Sequence, residues 1–401
     1  MSPEEIANRM DGRLSARGEG RLEAFIPSPV IQNHAAFLAF LPDGSLGCAW
    51  FGGTLEGKSD ISIHMSRLLP GAQAWSDASR ITDDPDHSEQ NPVIHSAPNG
   101  ITLFHTSQVS GNQDSSLVKS RPLTLDGACV RSGTSTTLPL GAGTFVRAPV
   151  ITRRDGAMLL PLFLCRAKPG TKWNGSHDTA ALAISDNGGE TWRTVDVPNS
   201  FGCVHMTIVP LGAQEGGQDG GQAGGLEGDQ EMAAFFRRRQ ADFVYRTESH
   251  DGGETWSVPV ATDVPNNNSS INAIRLKDGR IALLSNPVSA ATSADRRASL
   301  YDELGEDDDR PDSDGGIAPI WGVPRAPLTL CFSEDDGKTF PVRKLVEDGP
   351  GTCLSNNSID GHNKELSYPV LVEGEDEALH LAFTFHRRAI KYVRLEKSWR
   401  P

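Results

Sequence analysis

A repeated pattern constrains the fold of this chain more than any other feature of its sequence. The octet SDNGGETW at residues 185–192 returns in related form at 249–256 and at 333–340. A longer unit, made of a polar residue, an apolar run, a tight turn and a second apolar run, occurs six times. Its leading polar residues are His34, Asn91, Arg147, His205, Asn272 and Tyr368, separated by 57, 56, 58, 67 and 96 residues. Self-similarity of this kind predicts one supersecondary unit repeated along the chain.

Each unit is predicted to be a four-stranded antiparallel sheet. Asp-Gly or Asn-Gly pairs at 43–44, 99–100, 155–156 and 278–279 supply the positive φ angles that tight hairpins need. A third apolar stretch follows each hairpin, and the octet, where present, leads from it into a fourth. Six such sheets indicate an all-β chain folded as a six-bladed β-propeller, with seven blades as the alternative if residues 288–325 contain strands.

The ring is expected to close through the N-terminal part of the chain. The sixth unit has only three strands, and segment 24–30 is the remaining strand-like piece that can complete it. We therefore expect residues 1–401 to form a single propeller domain with an N-terminal extension at 1–21. The two longest spacings predict a flexible Gly-rich insertion at 212–230 and an acidic loop insertion at 288–325.

The composition excludes some partners. The chain has 38 basic and 52 acidic residues and a formal net charge of −14, which argues against nucleic acid or an anionic membrane as a partner. Its six cysteines show no CxxC spacing and are expected to be mostly buried free thiols. No signal peptide precedes the repeats, so we expect a cytoplasmic protein, or a secreted one if this is a mature form. We expect a monomer.

The octet follows the Asp-box pattern Ser-x-Asp-x-Gly-x-Thr-Trp, with Asn187 at the Asp position of the first copy. A short polar side chain can hydrogen-bond its own turn, glycine takes a positive φ, and the aromatic packs across the hairpin, so the box is expected to be structural. With these boxes, WFGGTLEGKSDISIHMSR at 50–67 and the closing repeat, the chain resembles sialidase-like propellers with Asp-box (BNR) repeats over residues 22–396.

The repeat also predicts where chemistry can occur. If the first strand of each blade runs from a top face to a bottom face, the leading residues and the ends of the second strands share the top. The Asp-boxes, between strands three and four, then lie at the bottom. The second-strand ends carry Glu56, Lys58, Asp60, His105, Arg166, Arg237 to Arg239, Asn286, His386, Arg387 and Arg388. A cationic funnel on an acidic protein suits a small anionic substrate.

Two enzyme activities and one binding function remain open. A sialidase uses three arginines, a Tyr–Glu nucleophile pair and an Asp, and its first arginine usually lies in a Phe/Tyr-Arg-Ile-Pro motif. This chain has AFIP at 24–27, with Phe25 where the arginine would be. A sialidase-type exo-glycoside hydrolase is therefore the second hypothesis, and a non-catalytic glycan-binding propeller is the third.

The preferred hypothesis is β-elimination on a uronic acid. This reaction needs a cation for the carboxylate, a base for the C5 proton and a proton for the departing O4. In glucuronate the C5 hydrogen and O4 lie on the same side of the ring, so one histidine can serve both steps. His87 lies in the loop entering blade 2, His105 ends the second strand of that blade, and Arg166 occupies the equivalent position in blade 3.

The chain also resembles fungal L-rhamnose-α-1,4-D-glucuronate lyases, which trim terminal rhamnose from gum arabic. This resemblance implies an exo-acting polysaccharide lyase with His105 as base and acid and Arg166 on the carboxylate; His87 is a further catalytic candidate. The partner would be an acidic glycan with a rhamnosyl-glucuronate end. We expect no cofactor in catalysis and no catalytic metal, with a structural Ca²⁺ in the central channel kept as an option. The predicted substrate-binding residues are Gln90, Asn91, Arg147, His205, Arg237, Asn272, Tyr368, Trp173 and Trp321.

Overall fold

The six-bladed propeller is confirmed by a computed structural model that describes residues 1–109, 112–212, 231–297, 309–355 and 363–401. The described N-terminal residues form helix α1 (Pro3–Asn8), strand β1 (Ser15–Ala16) and strand β2 (Arg21–Phe25). Two short 3₁₀ helices, Gln113–Ser115 and Lys397–Trp399, complete the helical content of the described residues. All other regular structure in these ranges is β-strand.

Blades 1 to 3 follow each other along the chain as antiparallel sheets. Blade 1 contains β3 (Gln32–Phe40), β4 (Leu46–Gly53), β5 (Ser62–Leu68) and β6 (Ser79–Arg80). Blade 2 contains β7 (Ser88–Ala97), β8 (Gly100–Gln108), β9 (Leu117–Asp126), β10 (Cys129–Ser132) and β11 (Thr136–Thr137). Blade 3 contains β12 (Thr144–Val146), β13 (Ile151–Thr152), β14 (Met158–Leu164), β15 (Thr179–Ser185) and β16 (Arg193–Asp196).

Blades 4 to 6 repeat the same order of strands. Blade 4 contains β17 (Cys203–Pro210), β18 (Met232–Arg238), β19 (Phe243–Ser249) and β20 (Val260–Pro265). Blade 5 contains β21 (Asn272–Arg275), β22 (Ile281–Ser285), β23 (Leu328–Ser333) and β24 (Val342–Glu347). Blade 6 contains β25 (Leu366–Glu373), β26 (Leu379–Phe385) and β27 (Ala389–Leu395).

The predicted closure of the ring is also confirmed. β2 pairs antiparallel with β27, from Arg21 opposite Leu395 to Phe25 opposite Lys391, and so supplies the fourth strand of blade 6. β1 adds a short fifth strand on its outer side. The first and last strands of the propeller therefore belong to one sheet.

Apolar side chains are buried between neighbouring blades. One cluster joins Trp50 of blade 1 to Ala382 and Tyr392 of blade 6, and another joins Leu159 of blade 3 to Phe236 of blade 4. Both faces of the sheets are covered in this way, which accounts for the nearly continuous burial of the second strand of each blade.

The innermost strand of four blades has a β-bulge near its top-face end. The first bulge residue has a positive φ in each case: Ala35 (58°), Asn91 (51°), His205 (55°) and Tyr368 (50°). A bulge re-aims its side chain, and non-glycine residues adopt this conformation at a cost that the surrounding structure must offset. The leading residues thus turn toward the propeller centre, except that Ala35, and not His34, is the structural equivalent of the other three.

The Asp-boxes lie at the bottom face. Ser185, which begins the first box, pairs with Met158 at the start of β14, at the opposite end from the second-strand termini. Asn187 accepts from the Thr191 amide (3.0 Å) as Asp335 does from the Thr339 amide (2.9 Å). An asparagine therefore makes the same turn as an aspartate.

The structure describes only one of the two predicted insertions. Residues 213–230 of the Gly-rich insertion lie outside the described residues. The described parts of the acidic insertion, 288–297 and 309–325, contain no strand, so they add no seventh blade. Residues 309–325, called the strap below, begin at the 166–178 loop of blade 3, where Lys172 and Asp312 form a parallel bridge. The strap then crosses blade 4, where the Ile320 amide donates to the Arg239 backbone oxygen, and ends where Arg325 bridges Glu365.

Candidate active site

Tyr368 lies at the centre of the top-face cluster of buried polar residues. Its hydroxyl accepts a hydrogen bond from Nη1 of Arg237 (2.7 Å). The ring centroid of Tyr368 is 4.2 Å from that of His34 and 5.4 Å from that of His205. The bulge in β25 positions this phenol, so side chains from blades 1, 4 and 6 meet at one point.

Three arginines around this centre have carboxylate partners. Arg239 contacts Asp178 (2.7 Å), Arg325 contacts Glu365 (3.0 Å), and Arg387 contacts both Glu365 (2.9 Å) and Glu56. Burial would raise the pKa of Glu365, but the guanidinium groups of Arg387 and Arg325 outweigh it and lower the pKa to about 2. Glu365 is therefore an ionised structural partner of these cations.

Two further buried arginines have no carboxylate partner among the described residues. Arg147 donates to the backbone oxygens of Ala36 and Tyr368, both at 2.9 Å. Arg237 donates to Oδ1 of Asn268 (2.8 Å) and to Tyr368. Burial lowers the pKa of each guanidinium to about 10, which still leaves both charged at neutral pH. Two uncompensated buried cations form a site suited to an anionic group.

The histidines of this cluster are neutral. Burial, followed by the charge of the nearby arginines, holds the pKa of His34 and of His205 well below the ordinary value. Nδ1 of His34 contacts Oγ1 of Thr384 (2.9 Å), whereas the buried Nδ1 of His205 has no hydrogen-bond partner among the described residues. A neutral imidazole with an unoccupied nitrogen can accept a proton.

His105 and His87 lie at the interface of blades 1 and 2. His105 is fully buried, its Nδ1 is 3.2 Å from Oε2 of Glu89, and burial lowers its pKa to about 4. His87 contacts Asp84 (3.0 Å), and Lys119 links Asp84 (2.8 Å) to Glu89 (3.3 Å). His105 and His87 thus lie at opposite ends of one chain of polar contacts that runs through Glu89, Lys119 and Asp84.

The register of β8 explains the burial of His105. This residue lies opposite the bulge of β7, at the position that Trp50, Phe236 and Phe383 occupy in blades 1, 4 and 6. Those three side chains pack against the preceding blade. Arg166 is exposed beyond the end of β14, and no hydrogen bond or ion pair joins it to His105 in the described parts of the chain. The catalytic roles of His87, His105 and Arg166 stay predictions.

Seven of the predicted binding residues divide into two groups. Arg147, His205, Arg237 and Tyr368 come together around the centre described above. Gln90, Asn91 and Asn272 are buried nearby: Gln90 donates to Ser88, Asn91 has an unpartnered Oδ1, and Asn272 accepts from the Leu371 amide (3.0 Å). The contacts of Asn272 tie blade 5 to blade 6.

Trp173 and Trp321 pack on a guanidinium. The carbon of the Arg239 guanidinium lies 5.5 Å from the Trp173 ring centroid and 5.1 Å from that of Trp321. Trp173 also donates to Asp178 (2.8 Å). One tryptophan from blade 3 and one from the strap therefore pack against Arg239, and the two rings hold its guanidinium in place.

Three residues of this cluster were not predicted from the sequence: Glu365, Arg325 and Asn268. Glu365 precedes the leading residue Tyr368 by three positions, and Arg325 lies in the insertion that was predicted to be a surface loop. The run NNNSS at 266–270 was the available signal for Asn268, because buried amides need specific partners.

The described residues contain no group of three or more His, Cys, Asp or Glu that could hold a metal ion. In the same part of the chain, no helix combines the length and apolar character needed to cross a membrane.

Solved sialidases share this architecture. The Hadza microbial sialidase Hz136 superimposes with a TM-score of 0.62 at 14% identity, covering 92% of this chain and 66% of that one. Trypanosoma rangeli sialidase in complex with 2,3-difluoro-KDN gives 0.59 at 11% identity, covering 96% and 57%. A Dyadobacter fermentans protein of unknown function gives 0.61 at 14% identity, covering 94% and 100%. At these identities the likeness establishes the fold, a sialidase-like propeller, and this chain spans at most about two thirds of those two sialidases.

The family follows from the sequence. The model of the BNR repeat-like domain matches residues 44–381, so the chain belongs to that family. No curated protein matches the sequence.

Proposed function

We propose that this protein is an exo-acting lyase that removes terminal L-rhamnose from D-glucuronate by β-elimination. One observation carries the proposal: two buried guanidiniums without carboxylate partners, Arg147 and Arg237, adjoin neutral imidazoles and a phenol. This set supplies a cation for a uronate carboxylate and a base for its C5 proton without any metal ligand.

The carboxylate of the glucuronate would pair with Arg147 and Arg237. Neutralising this charge makes the C5 proton acidic, because the negative charge that develops on the carboxyl group is then stabilised. Since no described carboxylate competes for these two cations, their hydrogen-bonding capacity is available to the substrate.

His205 is the base that the contacts support best. Its neutral ring takes the C5 proton, the C–H electron pair forms the C4–C5 double bond, and the bond from C4 to O4 breaks. A proton then passes to O4, either the one held by His205 or that of the Tyr368 hydroxyl, in which case the phenolate is reprotonated at the expense of His205. The products are free rhamnose and a 4,5-unsaturated glucuronate end. His105 with Arg166, the assignment implied by the family resemblance, is the alternative within this proposal.

Sialidase-type hydrolysis is the second candidate. It is favoured by the three guanidinium carbons of Arg147, Arg237 and Arg325, which lie 5.4, 5.7 and 5.8 Å from the Tyr368 ring centroid. It is disfavoured by Glu365, whose carboxylate is held by Arg325 and Arg387 and is not hydrogen-bonded to the Tyr368 hydroxyl. Phe25, where sialidases carry an arginine, packs on Phe385 at 5.1 Å.

Digestion of gum arabic tests the proposal. Elimination creates a conjugated unsaturated uronate, so ultraviolet absorbance should rise in step with rhamnose release. Release of sialic acid from sialyllactose without such a rise would refute the lyase in favour of the hydrolase. Glycan binding with neither product would identify a binding propeller.

Two variants then separate the candidate bases. His205→Phe should abolish the absorbance rise and leave the fold intact, whereas His105→Phe should retain turnover while changing stability. The reverse result would assign the base to His105.

A further inference from the structure

A buried polar segment joins blade 4 to blade 5. Residues 266–270, with the sequence NNNSS, connect β20 to β21, and none of the three asparagines is more than 2% exposed. Buried amides destabilise a protein unless they are hydrogen-bonded, so this run must have specific partners.

The asparagines link the end of β18 to the strap. Oδ1 of Asn266 accepts from the backbone amide of Arg238 (2.9 Å). Nδ2 of Asn267 donates to the backbone oxygen of Pro324 (2.7 Å), and Nδ2 of Asn268 donates to that of Ile320 (2.9 Å). The segment therefore connects the strand that carries Arg237 to the insertion that crosses the top face.

Asn268 continues this link to the centre of the candidate site. Its φ of 56° turns the side chain toward blade 4, where Oδ1 accepts from Nε of Arg237 (2.8 Å). Arg237 in turn donates to the Tyr368 hydroxyl (2.7 Å). One chain of hydrogen bonds thus runs from the strap through Asn268 and Arg237 to Tyr368.

The chemical type of residue 268 matters because the neighbouring arginines are held differently. Arg239 and Arg387 are oriented by the carboxylates of Asp178 and Glu365, which cancel their charge. An amide presents the same acceptor geometry to Arg237 but carries no charge. The guanidinium is fixed in place while its charge stays available to a ligand.

We propose that Asn268 is a positioning residue that sets the affinity of the site for carboxylate ligands by orienting Arg237 without neutralising it. This inference rests on the proposed function only in requiring that the ligand carry a carboxylate. It does not depend on which bond is cleaved.

The test compares two substitutions at one position. Asn268→Asp retains an acceptor for Arg237 but adds a competing charge, and Asn268→Gly removes the acceptor while glycine tolerates the positive φ. Both substitutions also remove the Nδ2 bond to Ile320, and this loss should affect glucuronate and its uncharged analogue equally. Asn199→Gly is the matched control, because Asn199 has a φ of 52° on an exposed turn and makes none of the contacts described above. Binding of D-glucuronate and of its uncharged analogue D-glucuronamide is measured by calorimetry or by ligand-observed NMR titration.

We expect Asn268→Asp to weaken glucuronate binding by roughly ten- to a hundredfold, since an added charge acts over a short buried distance. Glucuronamide binding should change by less than about twofold. Asn268→Gly should weaken glucuronate binding by about three- to tenfold through the loss of one bond to Arg237, and Asn199→Gly should have no effect.

Equal losses for glucuronate and glucuronamide would indicate a merely structural role and overturn the inference. Wild-type affinity for glucuronate in Asn268→Asp, or wild-type protein that does not bind glucuronate, would also overturn it. Glucuronate binding with the expected variant effects, but without an unsaturated product from gum arabic, would refute the lyase and leave the role of Asn268 standing.

Discussion

Replacing Arg237 by methionine should stabilise the unliganded protein and abolish carboxylate binding. The guanidinium is almost completely buried and is held only by neutral groups, Asn268 and Tyr368. An uncompensated buried charge costs free energy in the absence of ligand, and a binding site can retain this cost because the ligand offsets it.

The structure gives the size of the effect. Burial lowers the pKa of Arg237 from 12.5 to about 10, which corresponds to roughly 3 kcal/mol of unfavourable free energy for the charged form. Methionine relieves this cost but loses two hydrogen bonds, together worth about 2 kcal/mol. The free energy of unfolding should therefore rise by about 1 kcal/mol, with a linear side chain filling most of the vacated volume.

Arg387→Met is the matched control. Arg387 is equally buried but contacts the carboxylates of Glu365 and Glu56, so its removal leaves buried anions with fewer partners. Breaking such an ion pair lowers the free energy of unfolding by about 3–5 kcal/mol. The two substitutions should thus shift stability in opposite directions.

Urea unfolding with and without D-glucuronate measures both effects. At a ligand concentration of about 100 times Kd, wild-type protein should gain about 2.7 kcal/mol, and Arg237→Met should gain nothing. If Arg237→Met destabilises the protein as much as Arg387→Met does, or if glucuronate still stabilises the Arg237→Met protein, then Arg237 is not an uncompensated charge that binds the carboxylate.

Two further predictions concern the buried histidines and the Asp-boxes. Burial lowers the pKa of His105 and of His380 to about 4, so the unfolded chain binds protons below about pH 6.5 that the folded protein does not, and stability should fall as pH drops toward 4. The loss should reach at most about 1.4 kcal/mol per pH unit for each histidine, and an unchanged urea midpoint between pH 7.5 and 5 would contradict it. Asp335→Ala removes the bonds to Ser333 and Thr339 and should lower the free energy of unfolding by about 1–3 kcal/mol without changing turnover of gum arabic. Asn187→Asp should be neutral within about 0.5 kcal/mol, and lost turnover in either folded variant would indicate a role beyond the turn.

The architecture was predictable because it depends on local signals. Turn dipeptides mark many of the hairpins, the repeat spacing counts the blades, and the missing fourth strand of blade 6 indicates an N-terminal strand. The bounds of that strand were less accurate, because β2 runs from Arg21 to Phe25 and shares only residues 24 and 25 with the predicted segment 24–30. These signals involve residues close together in the sequence or a simple count of strands.

The candidate site was predictable only in part because side-chain direction depends on register. Arg237 and Arg239 share one face of the β18 end by simple alternation, and both are buried toward the site. His105 lies opposite a bulge that adds a residue to β7, and such a bulge leaves no clear mark in the sequence. Arg325 and Glu365 meet through an isolated bridge between an insertion and blade 6, which no periodicity indicates.

The pairing of β2 with β27 has a consequence for how the protein folds. Arg21 and Leu395 are neighbours in one sheet although nearly the whole chain lies between them. Contacts of such high sequence separation require the loop-closure entropy to be overcome first, which slows folding. Until β2 docks, β27 presents an unpaired edge to solvent, a template for pairing with another chain. Ring closure is therefore the step at which correct folding and aggregation compete most directly.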